Sequence, residues 1–198
     1  MIVYGKKEMD YISLKDPVMS DLVEHFGHMD KGLTTDIFAS LVLHIIGQML
    51  SDKVSRAISS RLFDRIGIIT PDNILILNED DLRAMGISYK KAEYILQLAK
   101  DVKDKVLSFD NLSEMSDEEV IAYLVKIKGV GKWTAEMIAE FTLGRLNIFS
   151  YDDVALQNGI KKAHGFKTLS KQRFERMRKK YSPYCSVASL YYYALNDE

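Results

Sequence analysis

With a single cysteine, Cys185, among 198 residues, the chain cannot build an intramolecular disulfide, a Cys-based zinc site or a four-cysteine iron–sulfur cluster. Three prolines and eleven glycines leave little room for long flexible linkers. No apolar run reaches membrane-spanning length. The most apolar, "FASLVLHIIGQML", is too short and is interrupted by His44, Gly47 and Gln48. The N-terminal "MIVYGKKEMDYISLKD" contains no apolar core of signal-peptide length. These absences set the expectation of a cytoplasmic, nuclear or nucleoid-associated protein, neither secreted nor membrane-bound.

Length and composition fit an ordinary globular protein of one or two domains, with enough chain to bury a core. The net charge of −1 does not discriminate for or against a polyanionic partner, so the distribution of charge matters more than its total. Between Lys161 and Lys180 every charged residue but Glu175 is Lys or Arg. Such a run is either a solvated helix face or a surface for phosphates. His25 and His28, spaced i, i+3, are accompanied by no Cys and no set of acidic partners that would hold a metal, and read as surface histidines. His44, alone on an apolar segment, reads as a core or pocket histidine.

The apolar spacing is helical almost throughout, which predicts an all-α fold of about ten short helices. "TTDIFASLVLHIIGQ" places Ile37, Phe38, Leu41, Val42, Ile45 and Ile46 at helical intervals, with Thr34 or Thr35 as N-cap. "DKVSRAISSRLFDRIG" stops at Gly67, the usual C-terminal position for glycine. "YKKAEYILQLAKDVKDKVL" is amphipathic, with Ala92, Ile95, Leu96, Ala99 and Val102 on one face. Ser116 and Glu119 form a capping box. "KWTAEMIAEFTLG" is expected to stay helical up to Gly144, and Pro183 suits the first turn of the last helix. "GIITPDNILIL" is the one rival strand signal, and Pro71-Asp72 reads better as a helix start. "LRAMGISYKKAEYIL" faintly echoes "LVKIKGVGKWTAEMI" as helix, tight turn, helix.

That second stretch carries the chemistry. Gly129 and Gly131 flank Val130, so a tight turn can approach another backbone with no Cβ in the way. The turn leads into a helix N-terminus, where free amides and the positive dipole end favour an anion. Lys126, Lys128 and Lys132 surround it. A phosphate fits as ligand, and backbone amides would carry no base information. A nucleotide-binding P-loop is a poor match, because "GVGKW" has neither the earlier glycine nor Ser/Thr after the lysine. A plain interhelical turn remains the alternative. Further on, Asp152 and Asp153 precede "VALQNGI"; taken alone, such a pair is an N-cap.

The order of these parts is more specific than any one of them. A helix, a Gly-x-Gly hairpin with Lys-Trp-Thr-Ala, a second helix, the loop "RLNIFSY" and then Asp-Asp resembles the helix–hairpin–helix DNA glycosylases. Within them it is similar to the 3-methyladenine DNA glycosylase II branch. "DIFASLVLHIIGQMLSDKVSRAI", "LRAMGISYKKAEYILQLA" and "YSPYCSVASLYYY" resemble further segments of that branch, in the same order.

The resemblance implies one glycosylase unit over residues 1–198, made of two interleaved helical subdomains with the hairpin motif at about 117–143. It implies that Asp153 is the catalytic carboxylate and that Asp152 is its structural partner, capping the helix. Trp133 stands where bifunctional relatives carry a Schiff-base lysine. Lys132, one residue earlier, points about 100° away around the helix. Hydrolysis by water, leaving an abasic site, is therefore expected.

Trp133 and Tyr193 would line the base pocket. Met49 would be the wedge that fills the gap left by a flipped nucleotide, unless it is a core methionine. Gln48, Gly129, Val130, Gly131, Lys132 and Thr134 would meet the DNA, and the carbonyls of Val125, Ile127 and Val130 would hold a monovalent cation. No other cofactor is implied, and no iron–sulfur cluster. The implied partner is double-stranded DNA containing damaged bases, bound by a monomer. The chain departs from the family in three places. It has no room for the N-terminal β-rich domain of larger relatives, it has Cys185 where Arg is usual, and it has Tyr181 where Trp is usual. These departures bear on substrate range more than on reaction type. The alternatives are a glycosylase for oxidised or deaminated bases, or a non-catalytic DNA-binding module.

Overall fold

Helical periodicity is realised along the whole of the computed structural model, which describes residues 2–29 and 36–198. The chain opens with α1 (Lys6–Lys15) and α2 (Pro17–Phe26). It continues through α3 (Ile37–Gly47), α4 (Asp52–Ile66), α5 (Pro71–Ile74), α6 (Glu79–Ala84), α7 (Tyr89–Lys103), α8 (Asp117–Leu124) and α9 (Lys132–Met137). It ends with α10 (Val154–His164), α11 (Lys171–Tyr181) and α12 (Cys185–Asp197). A 3₁₀ turn at Leu112–Glu114 and a π-turn at Ile138–Thr142 complete the regular structure, and no strand occurs among the described residues. Two compact units result, one from Met1–Leu33 with Ala139–Glu198, the other from Thr34–Ile138.

In the second unit, α3 buries Phe38, Leu41, Val42, Ile45 and Ile46. The N-cap predicted at Thr34 or Thr35 falls outside the described residues. Asp36 caps the helix instead, its carboxylate accepting from the Ala39 amide at 2.7 Å. The helix α7 packs on α3, α5 and α6, and this broad contact buries Leu98 together with Ala92, Ile95 and Ala99. Leu96 and Val102, expected on that face, sit at its half-buried margin. Thr70 caps the short α5, with Pro71 in its first turn, which settles the rival strand signal. The capping box of α8 forms as read: Glu119 accepts from the Ser116 amide at 2.8 Å, and Ser116 accepts from the Glu119 amide at 3.2 Å.

In the first unit a continuous apolar cluster joins Ile12 and Met19 to Leu156, Ile160, Phe174, Tyr181 and α12. Helix α10 lies along α12. Gly159 faces the backbone of Tyr192 so closely that a Cβ would fall on its carbonyl oxygen and 2.7 Å from its carbonyl carbon. Pro183 does not enter a helical turn as predicted. It lies in the turn before α12, which begins at Cys185 after the N-cap Tyr184.

The straight helix expected up to Gly144 is also revised. After Met137 the backbone widens into the π-turn, and Gly144 ends it with φ 69°. Such a widening has no signature in apolar spacing.

Candidate functional site

The hairpin joins α8 to α9. Val125 is the C-cap of α8, Ile127 O accepts from the Val130 amide at 3.0 Å, and Gly131 is the N-cap of α9. The two glycines do different work. Gly129 has φ 84°, and a Cβ there would lie 2.9 Å from Tyr94 Cγ, inside the ring's van der Waals envelope. Gly131 has φ −85° and open space around its Cα, so no close approach requires it. Val130 is buried, while Lys126, Lys128 and Lys132 are exposed around the turn. The first amides of α9 lack helical acceptors and point out of its N-terminus. Thr134 differs from expectation: its side chain is buried, so only its backbone belongs to that N-terminal group.

Carbonyls at the end of α8 and in the turn are hard oxygen donors of the type that suits a weakly held cation. No cluster of three or more His, Cys, Asp or Glu side chains able to hold a metal ion occurs among the described residues.

The turn between α3 and α4 is tied to this hairpin. Gln48 Nε2 donates to Gly129 O at 2.8 Å. The next residue, Met49, adopts a left-handed backbone with φ 57°, and its side chain is fully exposed. The core reading of Met49 is thereby overturned. A non-glycine residue in this conformation carries a strain that the surrounding structure must hold.

Trp133, one residue into α9, is 37% exposed and lines a cavity of about 410 Å³ with Leu43, His44, Gln48, Met49 and Asp52. Its ring meets His44 edge-on, with centroids 6.2 Å apart. Burial lowers the His44 pKa below its ordinary value of 6.5, so the imidazole is neutral at pH 7. Among the described residues Asp52 is then the only charged side chain lining the cavity. Lys132 turns toward the next helical turn, with Nζ 3.4 Å from Glu136 Oε1.

The carboxylate pair belongs to the first unit. Asp153 is buried and has the extended backbone of an N-cap; its Oδ1 accepts from the Leu156 amide at 2.7 Å. Asp152 was expected to take the cap, but it is exposed in the preceding turn. The helix enters one residue later than that expectation assumed, and the cap moves with it. Of the three adjacent tyrosines, Tyr191 donates to Gly27 O at 2.9 Å and Tyr192 pairs with Tyr181 at 2.7 Å. Tyr193 is half-buried, with its ring 5.8 Å from that of Phe141.

A buried polar network went unread in the sequence. Asp16 accepts from Lys180 at 2.8 Å and from Tyr181 at 2.6 Å, and His164 meets Tyr192 at 2.9 Å. Burial alone would raise the Asp16 pKa, but these hydrogen bonds outweigh it and hold the carboxyl below its usual range. Its members are scattered from α2 to α12, so no local spacing could have joined them. The basic run is largely engaged within its own unit. Lys162 donates to Leu195 O, Arg178 pairs with Glu175, and the Arg173 guanidinium lies 4.2 Å from the Phe166 ring centroid. Cys185 is fully buried, and burial pushes its thiol up to about 12.

His164, like His44, has its pKa lowered by burial. Both imidazoles bind a proton less readily in the folded state than in the unfolded chain, where a histidine protonates near 6.5. Below that pH the unfolded chain binds more protons, so stability present above about pH 6.5 is lost as pH falls. Thermal midpoints are expected to drop steadily from pH 7.5 to 5.5. A flat profile over that range would show that neither ring is held neutral.

The comparisons agree with this architecture. A family model described as "HhH-GPD superfamily base excision DNA repair protein" matches residues 42–183. A Bacillus subtilis protein provisionally named a DNA-3-methyladenine glycosylase is 38% identical over 61% of this chain and 42% of its own. The chain thus spans less than half the length of that relative. An alkylbase DNA glycosidase-like protein of Schizosaccharomyces pombe is 32% identical over 78% of this chain and 75% of its own. The crystal structure of a DNA-3-methyladenine glycosidase from Bacillus halodurans superposes with a TM-score of 0.83 at 33% identity, covering 96% of this chain and 88% of that one. The chain belongs to the HhH-GPD superfamily of base excision DNA repair proteins.

Proposed function

We propose that the protein is a monofunctional DNA glycosylase that flips alkylated purines such as 3-methyladenine out of duplex DNA and hydrolyses the N-glycosidic bond. The observation that carries this reading is the cavity at Trp133, where an aromatic face stands beside a neutral imidazole, with Asp52 as the only charged lining side chain among the described residues. Alkylation at a ring nitrogen makes a purine cationic. Such a ring is attracted to an aromatic face by about 0.5–2 kcal/mol and meets no opposing charge there. The names of the similar proteins, which specify 3-methyladenine or alkylated bases, support the same substrate class.

On this reading the hairpin amides from Gly129 to Thr134, with Lys132, grip a backbone phosphate. The carbonyls of Val125, Ile127 and Val130 would hold a monovalent cation, which would supply counter-charge for the phosphate and no chemistry at the base. The exposed Met49 enters the duplex where the nucleotide leaves, offsetting an unstacking cost of a few kcal/mol, and Gln48 beside it meets the DNA from the turn it ties to Gly129.

The C1′–N bond breaks with its electron pair on the base, which departs neutral and needs no protonating acid. Asp153 stabilises the oxocarbenium-like sugar; water then bonds to C1′ and gives its proton to Asp153 or to solvent. No amine attacks, because position 133 is tryptophan and Lys132 faces Glu136.

The test is base release from methylated duplex DNA and from duplexes containing hypoxanthine, uracil or 8-oxoguanine. Methylpurine release without strand cleavage, and without a borohydride-trapped adduct, is expected. Release confined to 8-oxoguanine or hypoxanthine would assign the alternative lesion class. Tight binding with no release of any base would leave a DNA-binding module.

A further inference from the structure

The last carbonyls of a helix have no intrahelical donors and must find partners elsewhere. At the end of α3 the Gln48 and Leu50 amides donate to His44 O and Gly47 O, at 3.2 and 3.1 Å, and one side chain serves two further carbonyls: Lys91 Nζ donates to Ile46 O at 2.9 Å and to Gln48 O at 2.6 Å. The second acceptor belongs to the peptide group that joins Gln48 to Met49. Lys91 thus holds the peptide plane that sets the left-handed backbone of Met49. Its ammonium is partly withdrawn from water for this purpose, and burial lowers its pKa. A lysine recruited only for surface charge would stay solvated.

The same helix holds the hairpin. Tyr94, three residues after Lys91 and therefore on the same side of α7, packs its ring against Gly129. Gln48 closes the triangle through its side-chain amide to Gly129 O. One face of α7 therefore fixes both the turn that presents Met49 and the turn proposed to grip phosphate, and the two turns are also bonded to each other.

We infer that Lys91 is a positioning residue for DNA distortion: its ammonium locks the Gln48–Met49 peptide so that wedge and phosphate grip act on the duplex as one rigid element. The inference rests on the proposed function, in which Met49 is the wedge. It does not depend on which base is released.

The experiment compares the wild type with Lys91→Met, which keeps the aliphatic stem but has no donor, and with Lys91→Arg, which restores donors. A duplex carrying 2-aminopurine beside a tetrahydrofuran abasic analogue reports unstacking by fluorescence and needs no catalysis. A methylated base offered once in duplex and once in single-stranded DNA reports excision. For Lys91→Met, the fluorescence rise should be lost and duplex excision should fall about 10²-fold, the scale of a misplacement near 1 Å. Single-strand excision should stay within about threefold of wild type, because no wedge is needed there, and Lys91→Arg should recover most of the loss.

Equal losses on both substrates would reduce Lys91 to a support of the fold and overturn the inference, as would an unchanged fluorescence response. A wild type that unstacks the probe but releases no base would sink the glycosylase reading and leave Lys91 testable by fluorescence alone. A wild type that leaves the probe stacked would overturn the inference, and the glycosylase reading with it only if no base were released.

Discussion

Replacing Asp153 by asparagine is expected to lower base release by about 10³-fold while leaving the fold and the affinity for DNA close to those of the wild type. The choice of asparagine follows from the geometry. Asp153 is the N-cap of α10, and its Oδ1 accepts from the Leu156 amide. Asparagine caps a helix about as well as aspartate and offers a carbonyl oxygen in the same place. The substitution therefore removes a charge and keeps the cap. Alanine would remove both, at a cost of about 0.5–2 kcal/mol of stability, and would confound the two effects.

The magnitude comes from the scale at which single preorganised electrostatic groups act on charged transition states, about 10²–10³ in rate. In the proposed mechanism the Asp153 carboxylate is such a group, which places the expected loss at the top of that range. Single-turnover excision from methylated duplex DNA, with the thermal midpoint measured on the same preparation, separates chemistry from folding. Excision by Asp153→Asn within tenfold of wild type would remove Asp153 from the chemistry and leave it a helix cap.

That a single aspartate caps α10 and also carries the proposed charge marks where the sequence stopped being readable. A pair of aspartates before a helix can be capped by either member, and the choice turns on where the first helical residue falls. The pattern "DDVALQNGI" does not encode that to within one position. The glycine hairpin is a similar case. Its existence and its place between two helices follow from local residues alone, as do the capping box at Ser116 and the helix stop at Gly67. Which glycine is indispensable depends on the Tyr94 ring delivered by α7, and that is a tertiary fact.

The same division separates His44 and Lys91. His44 lies on an apolar helix, so a core or pocket position could be read from its surroundings. Lys91 looked like one more basic residue on an amphipathic helix, and nothing local tells that its amine reaches the end of α3. Side chains acting within a turn or two of their own helix leave periodic traces. Those acting across the fold leave none, and the network of Asp16, His164, Tyr181 and Tyr192 was invisible for that reason.

Gly159→Ala is expected to be strongly destabilising, lowering the thermal midpoint by about 5–10 °C. In isolation the change should help, because alanine is favoured over glycine in a helix interior by about 1 kcal/mol. The surroundings reverse the sign. A Cβ at position 159 would fall on the carbonyl oxygen of Tyr192, 2.7 Å from the carbonyl carbon and 3.0 Å from Tyr192 Cβ. The opposing atoms are mostly backbone, so no rotamer change relieves the overlap; α10 must move off α12. Overpacking of this kind costs about 1–3 kcal/mol and sometimes more, and a chain of this size loses about 2–4 °C for each kcal/mol.

Two other glycines act as controls. Gly131 has open space and φ −85°, so Gly131→Ala should leave the midpoint unchanged within about 1 °C. Gly165 also has open space but sits at φ 64°, so Gly165→Ala should cost only the left-handed strain, about 1 kcal/mol. The ranking Gly159, Gly165, Gly131 thus isolates close helix approach from backbone conformation. Equal midpoints for Gly159→Ala and Gly131→Ala would mean that the two helices do not touch there. Because Asp153 caps α10, a helix displaced at Gly159 also carries the cap carboxylate with it. Excision at temperatures well below the midpoint should therefore fall further in Gly159→Ala than its loss of folded protein explains.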